Sequence, residues 1–490
     1  MSKSKLVISR YFPAIWLILL IVYVLAGTPL TPFHGDEATQ IFMSRDYAYL
    51  FIEHDLSKVE YSETSASPAE QELRLLNGVV NKYLIGLAWH ISGLTINDLN
   101  EQWDWGAGWD YNLQNNHAPS PALLAAARWP SAVLLAAGVA IMFGLGRAVG
   151  GRWTPYLASL YYALNPALLL NGRRAMMEGS FIFFSLLVVL VGVWLVTRPS
   201  LARALLLGLV CGFALASKHT AIFTVATVLG TAVIFLIFQS VSSQDDYSDV
   251  EYLILPYLVI TIVVTGLTFY VLNPAWWGEP AARAQKVLEL RQNLLAGQSA
   301  AFVGYYDAGE QLIGFLRQGL VVLPQYFEVI GWEGYIGDQI AQYGASVWRG
   351  VSVGGSAAGA VALCVMMGAG TWRLVSTGVF RALWRFGRQK IEALVRRPDD
   401  APEEEISLEA HFADEPPEES HEANHDNRVA ARWIIGVWAL AMILTTWVLT
   451  PLEWQRYYLP LYPAIGLVAA VGVNSILEGV LIPLWMKRRA

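Results

Sequence analysis

Runs of about twenty apolar residues, the length needed to cross a bilayer, recur from near residue 11 to near residue 482, separated by basic turns or polar loops. A helix satisfies its own backbone polar groups inside a membrane, and few other structures do. That pattern confines the chain to an all-α polytopic integral membrane protein. Composition agrees: of 490 residues, 55% are hydrophobic and 15% charged, against about 25% charged in soluble domains. Much of the acid behind the net charge of -7 lies near 399–426. The chain carries no signature of nucleic-acid binding; its evident partner is the lipid bilayer.

Lys3, Lys5 and Arg10 precede a first span at 11–29, which puts the N-terminus on the cytoplasmic side. No A-x-A-like cleavage site follows, so the reading is an uncleaved first helix. A first outer loop, 30–127, contains an apolar stretch at 77–94 with Asn81, Lys82 and His90, expected at the membrane interface. Further spans are expected from Arg128 to 147, at 153–170, at 179–197, as a hairpin over 202–240, and from Tyr252 to Leu272. A second outer loop, 273–349, opens with an amphipathic surface helix at 281–296. A Gly/Ala-rich span at 350–370 is expected to pack closely and to complete the main membrane region, 1–370. Residues 371–430 then read as a cytoplasmic linker, basic and afterwards acidic and disordered over 398–427. A C-terminal hairpin, 431–490, carries spans at 432–450 and 459–482 and ends inside at Lys487, Arg488 and Arg489. The total is about ten spans, with the strongly basic turns on one side.

That topology brings several ionisable residues to the other, extracytoplasmic side: Asp36, Glu37, Arg173, Arg174, Glu178, Lys218 and Arg456. A carboxylate within reach of a hydroxyl can remove its proton, and Asp36-Glu37 follows directly on the first span. Taken alone, the dipeptide is an ordinary loop start. Arg174 and Glu178 stand at i,i+4 and are expected to pair on a helix. Lys218 lies between apolar runs and needs a counter-anion, which a lipid phosphate would supply; snorkelling to headgroups is the bland reading. Arg456 lies among Trp454, Tyr457 and Tyr458, and a guanidinium fork suits phosphate; interfacial anchoring is its bland reading. The 19 tryptophans suit interfacial belts. Cys211 and Cys364, both in apolar runs, read as small core residues without a disulfide. No HExxH, CxxC or Gly-rich nucleotide loop is present, so neither a metal nor another cofactor has sequence support. The charges suit a membrane transferase, and also a transporter or flippase for a lipid-linked or anionic substrate, although a transporter should place its charges near the midplane.

Six segments together resemble the GT-C superfamily of polyprenyl-phosphate-sugar-dependent glycosyltransferases, in particular protein O-mannosyltransferases and bacterial aminoarabinose transferases. They are His34-Gly35-Asp36-Glu37, Asn77 to Leu87, Arg128-Trp129-Pro130-Ser131, Asn165-Pro166 through Arg173 to Glu178, Ser217-Lys218-His219-Thr220, and Arg456-Tyr457-Tyr458-Leu459-Pro460 with Tyr462-Pro463. The likeness covers about 10–240 and 450–475. Gly78-Val79-Val80-Asn81 replaces the family's His-Pro-Pro element, and Glu178 stands where the mannosyltransferases carry Asp. The resemblance implies a GT-C-like bundle of about ten to thirteen transmembrane helices with extracytoplasmic juxtamembrane helices. It implies inverting transfer of a sugar from a polyprenyl phosphate to a protein, lipid or glycan acceptor in the cell envelope. In that reading Asp36 is the general base and Glu37 positions it or shares the role. Lys218 and Arg456 hold the donor phosphate, while Arg173, Arg174, Glu178, Lys82 and His34 shape the site.

Overall fold

A computed structural model describes residues 3–63, 67–242, 249–302, 304–329, 331–379 and 419–482. Most of the expected acidic linker, the basic stretch 380–397 and the C-terminal Lys487, Arg488 and Arg489 lie outside the described residues, as does most of the short loop 241–250. Among the described residues the regular structure is helical, with no strand.

The first span is α1 (Lys3–Ala26). The loop that follows, expected on the outer side, folds into five short helices: α2 (Gly35–Met43), α3 (Arg45–Phe51), α4 (Pro68–Leu76), α5 (Val79–Ile91) and α6 (Trp109–Gln114). The second span, α7 (Pro121–Val149), starts seven residues before Arg128, because Ser120 caps it with a hydrogen bond from Leu123 N–H at 3.3 Å and Pro121 fits its first turn. Arg128 therefore lies about two turns inside the helix rather than opening it. The expected span at 153–170 is broken into α8 (Thr154–Leu164) and α9 (Pro166–Gly172). Pro166 has no N–H to continue the helix, and the Asn165 side chain caps the second piece.

Next come α10 (Glu178–Thr197), α11 (Leu201–Ser217), α12 (Ile222–Ser242) and α13 (Asp249–Leu272). The surface helix α14 (Pro280–Ala301) runs a turn beyond its expected end. The loop after it contains α15 (Ala308–Leu316) and α16 (Glu333–Ala345). The last long helices are α17 (Ala357–Leu374), α18 (Glu419–Leu449) and α19 (Leu461–Ile476). Because α18 begins at Glu419, the end of the stretch expected to be disordered is helical. Among the described residues, seven helices are long and apolar enough to cross a membrane. The shorter apolar segments Leu201–Ser217 and His219–Phe235, with the broken pair α8–α9, occupy the remaining expected crossings. The chain is a multi-pass membrane protein.

One large core unites the bundle, with Val139, Leu168, Val189, Ile434 and Leu467 fully or almost fully buried in it. Cys211 joins this core, but Cys364 is exposed and not a core residue. It lies on α17 with Val361 and Val365, on an outward apolar face, which in a bilayer is covered by lipid rather than protein. Helices α17 and α19 meet through bare backbone. A Cβ at Gly370 would collide with the Val468 carbonyl, and one at Gly472 with the Met366 carbonyl. This is close small-residue packing of the kind that holds membrane helices together. Gly370→Ala is expected to destabilise the protein by about 1–3 kcal/mol through overpacking, whereas Gly368→Ala, which meets nothing within 4 Å, should be neutral or slightly stabilising. Thermal unfolding of the two variants in detergent checks the contrast.

Candidate active site

The Asp36-Glu37 pair is the first turn of a helix. His34 occupies the N-cap of α2, and its Nδ1 accepts the Asp36 N–H at 3.1 Å. The Glu37 side chain returns the favour by accepting the His34 N–H at 3.1 Å. This is a capping box with an imidazole in place of the usual hydroxyl, and acidic side chains there also suit the helix dipole. The dipeptide is thus fixed in orientation before any tertiary contact is made.

Glu37 is then buried completely. Its carboxylate receives Arg128 Nε at 2.7 Å and Nη2 at 2.8 Å, and the Ala175 N–H at 2.8 Å. Arg128 gives its remaining arm to the Thr31 carbonyl at 2.7 Å. Burial alone would raise the Glu37 pKa, but the Arg128 guanidinium holds it below the ordinary carboxylate range. With every lone pair engaged and no solvent contact, Glu37 anchors the helix and is not available to a substrate hydroxyl.

Asp36 points the other way. Its side chain is 26% exposed and contacts the Arg456 guanidinium. Arg456 comes from the single turn Gln455–Tyr457 and lies over the rings of Trp454 at 4.6 Å and Tyr457 at 5.8 Å. Burial lowers the Arg456 pKa, yet a guanidinium remains charged throughout the physiological range.

The second outer loop contributes a residue that sequence reasoning missed. Glu328 Oε2 lies 2.7 Å from His34 Nε2. Because Nδ1 accepts the Asp36 N–H, the proton belongs on Nε2, which donates to Glu328. Burial lowers the His34 pKa despite the Glu328 carboxylate, in keeping with a neutral ring. Burial would raise Glu328, but His34 and Arg174 bring it below the ordinary carboxylate range. A reciprocal amide clasp delivers this segment: the Gln325 N–H donates to Gln455 Oε1 at 3.1 Å, and the Gln455 N–H to Gln325 Oε1 at 2.6 Å. No local motif around Glu328 distinguishes it from other loop acids.

The two arginines are braces. The chain turns through 173–177 rather than continuing as a helix, so the expected Arg174–Glu178 pair does not form. Arg174 instead donates to the Pro32 carbonyl at 3.2 Å and the Tyr326 carbonyl at 2.7 Å, tying the first outer loop to the second. Arg173 satisfies the Val24 and Tyr23 carbonyls at the end of α1, at 2.7 and 2.9 Å, and reaches Tyr343 Oη at 3.0 Å. Glu178 pairs with Lys218, whose Nζ lies 3.0 Å from Glu178 Oε1. Lys218 thus has a protein counter-anion, where the sequence suggested only a lipid phosphate. Glu178 Oε2 is buried and has no hydrogen-bond partner among the described residues.

The Lys218 turn is joined to α2 through the start of α5. A Cβ at Gly78 would strike the Ser217 carbonyl. Asn77 Oδ1 accepts from Gln40 Nε2 at 3.3 Å, and Asn81 Nδ2 donates to Gln40 Oε1 at 3.3 Å. Gln40 lies one helical turn from Asp36, on the same face. Lys82 does not join this group. It forms a buried network with Asp46, at 2.5 Å, in which Arg74 bonds both Asp46, at 2.9 Å, and Glu70. Above α2, Phe33, Trp103, Trp109 and Trp332 pack into one aromatic cluster, with Trp105 stacked on Trp332 at 5.6 Å and 6°. Trp103 and Trp332 are therefore core residues of the outer loops, not belt residues. Among the described residues no three His, Cys, Asp or Glu side chains converge as a metal site.

These features define a polytopic membrane protein with a partly exposed carboxylate beside an arginine at one end of its bundle. Residues 80–277 match the family model described as dolichyl-phosphate-mannose-protein mannosyltransferase. That match covers less than half of the chain. No curated protein matches the chain significantly. Among solved structures it is similar to the Pmt1-Pmt2 protein O-mannosyltransferase complex of S. cerevisiae bound to its sugar donor, at 16% identity and a TM-score of 0.40, covering 56% of this chain and 33% of that one. It is also similar to the oligosaccharyltransferase AglB of Archaeoglobus fulgidus with an inhibitory peptide and a dolichol-phosphate, at 11% identity and a TM-score of 0.46, covering 99% of this chain and 52% of that one. A third is ArnT of Cupriavidus metallidurans bound to undecaprenyl phosphate, at 13% identity and a TM-score of 0.42, covering 94% and 60%. The chain spans less than two thirds of the length of each of these proteins.

The buried carboxylates set an acid limit on stability. Glu37 and Glu328, and Asp46 held by Lys82 and Arg74 against the cost of burial, all have folded-state pKa values below their ordinary ones. Their contribution is full above the unfolded values, near pH 4, and is lost as pH falls through the lower folded values. Arg128→Ala strands Glu37 as an unpaired buried charge and should cost about 3–5 kcal/mol at neutral pH. With the partner gone, Glu37 protonates at higher pH. Unfolding followed from pH 7 to pH 3 should therefore show the penalty shrinking towards acid.

Proposed function

We propose that this chain is an inverting glycosyltransferase that moves a sugar from a polyprenyl phosphate to an acceptor hydroxyl, with Asp36 as general base. The observation that carries the reading is the division of labour in the capping turn. Glu37 is consumed by Arg128 and Ala175, whereas Asp36 is solvent-accessible and faces a guanidinium suited to phosphate. The family match, and the donor or lipid phosphate bound to Pmt1-Pmt2, AglB and ArnT, support a lipid-phosphate donor.

In the resting site the Arg456 guanidinium contacts the Asp36 carboxylate and occupies it. The donor phosphate competes for the same guanidinium, and its arrival releases the carboxylate. The acceptor oxygen then attacks the anomeric carbon from the face opposite the phosphate. Its proton passes to Asp36, and the anomeric C–O bond breaks with its electron pair going to the phosphate oxygen. Arg456 stabilises the charge that grows on that leaving group. The product sugar carries inverted configuration, and the lipid phosphate departs.

His34, with its proton directed to Glu328, positions Asp36 by holding its backbone N–H. Lys218 stands ready for a donor phosphate, and the unpartnered oxygen of Glu178 for a donor hydroxyl. The active end is the extracytoplasmic one, with both chain ends on the cytoplasmic side; the basic turns at the opposite end of the bundle support that orientation. The exposed Trp105 ring, backed by the buried Trp332, suits a peptide or sugar acceptor face.

Purified chain, reconstituted with a labelled polyprenyl-phosphate sugar and a membrane acceptor fraction, tests the reading. Asp36→Asn should reduce turnover by about 10²–10⁴-fold with the fold retained, and Glu328→Gln should reduce kcat by less. Unchanged turnover in Asp36→Asn would remove Asp36 as the base. Arg456→Lys, which keeps the charge but loses the fork, should raise KM for the donor more than Asp36→Asn does.

A further inference from the structure

The end of the bundle remote from Asp36 carries a second charged cavity, of about 740 Å³, lined by Arg147, Arg152, Arg373, Arg428, Arg432 and Glu478. Arg147 lies nineteen residues beyond Arg128 on α7, about 28 Å at 1.5 Å per residue, which is close to a bilayer's hydrocarbon thickness. The arginines come from the end of α7, the turn after it, the end of α17 and the start of the described side chains of α18. Among the described residues that line it, the one carboxylate is Glu478, whose Oε1 accepts the Arg152 backbone N–H at 3.2 Å.

The cavity is built rather than incidental. The turn at its rim carries Gly150 and Gly151 with φ of 93° and 98°, a conformation open mainly to glycine. Asn474 Oδ1 fixes the Trp153 N–H at 3.0 Å, and Arg432 Nε donates to the Val149 carbonyl at 2.9 Å. Scattered surface arginines that merely obey a topology rule do not need such a scaffold. One wall of the same cavity is apolar. Phe143 and Tyr156 line it in edge-to-face contact at 5.2 Å. Tyr156 in turn touches Phe12 at 5.5 Å, and Phe12 is exposed on the outward side of α1.

We infer that this cavity binds the phosphate headgroup of an anionic membrane phospholipid, with the arginines on the phosphate and an acyl chain along the Phe143–Tyr156–Phe12 wall. Guanidinium forks match phosphate oxygens, and basic pockets between helices at a membrane surface hold anionic headgroups. The aromatic wall, continuous with the lipid-facing surface, favours a lipid over a free phosphate ion. The site is independent of the transferase chemistry proposed above.

The test uses the full chain in phosphatidylcholine nanodiscs doped with phosphatidylglycerol, with retained lipid read by native mass spectrometry. Wild type should retain phosphatidylglycerol selectively. Arg147→Gln/Arg428→Gln should weaken that retention about thirtyfold, while Arg198→Gln/Arg203→Gln, from another basic turn outside the cavity, should leave it nearly unchanged. Arg152→Gln/Arg373→Gln provides a second cavity pair should the first unfold in phosphatidylcholine. Equal losses in cavity and control pairs would reduce the effect to general surface charge and overturn the proposal. Displacement of the lipid by millimolar inorganic phosphate would overturn the lipid assignment, and absence of selective retention would overturn the site.

Discussion

The buried pair between Glu37 and Arg128 is the constraint on which the Asp36 end of the bundle depends. A carboxylate without solvent and without a partner would cost several kcal/mol. Here it is met by two guanidinium bonds and a backbone N–H. Those bonds join three separate parts of the chain: the start of α2, the second turn of α7 and the turn before α10. The first two are 91 residues apart and the third lies 138 residues from Glu37. Once Glu37 is fixed inward, helical geometry directs Asp36 elsewhere, towards solvent and Arg456. One acid of the dipeptide thus provides the structural anchor, and the other faces solvent and Arg456.

The loops complete what the anchor begins. Arg174 bridges the Pro32 and Tyr326 carbonyls, and the Gln325–Gln455 clasp holds the second outer loop against the turn that carries Arg456. Glu328 consequently arrives at His34, and His34 holds the Asp36 backbone. The exposed carboxylate is supported by side chains from both outer loops and from the C-terminal hairpin. Such support lets a polar group face solvent in a defined orientation.

Much of this arrangement was legible before any coordinates. Apolar runs of bilayer length and their basic turns located the spans, because both follow from the solvent the chain must satisfy. The candidate charges were legible because ionisable residues at span ends are costly enough to be retained for a reason. Their partners were not. Arg174 and Glu178 stand at helical spacing, but the chain turns between them, so Glu178 meets Lys218 forty residues later in the sequence. Lys82, which sequence placed near the site, serves a buried network with Asp46 and Arg74. Glu328 was missed because its significance is entirely tertiary, and Cys364 was misplaced because an apolar run does not say which of its faces meets protein and which meets lipid.

The central claim is that Arg456 is shared between Asp36 and the donor phosphate, so that donor binding frees the base. A structure of the chain with a bound polyprenyl-phosphate sugar, or with its lipid phosphate product, addresses this directly. The account predicts the Arg456 guanidinium on the phosphate and the Asp36 carboxylate turned to an open acceptor position. A phosphate bound elsewhere, with the Asp36–Arg456 contact intact, would contradict it.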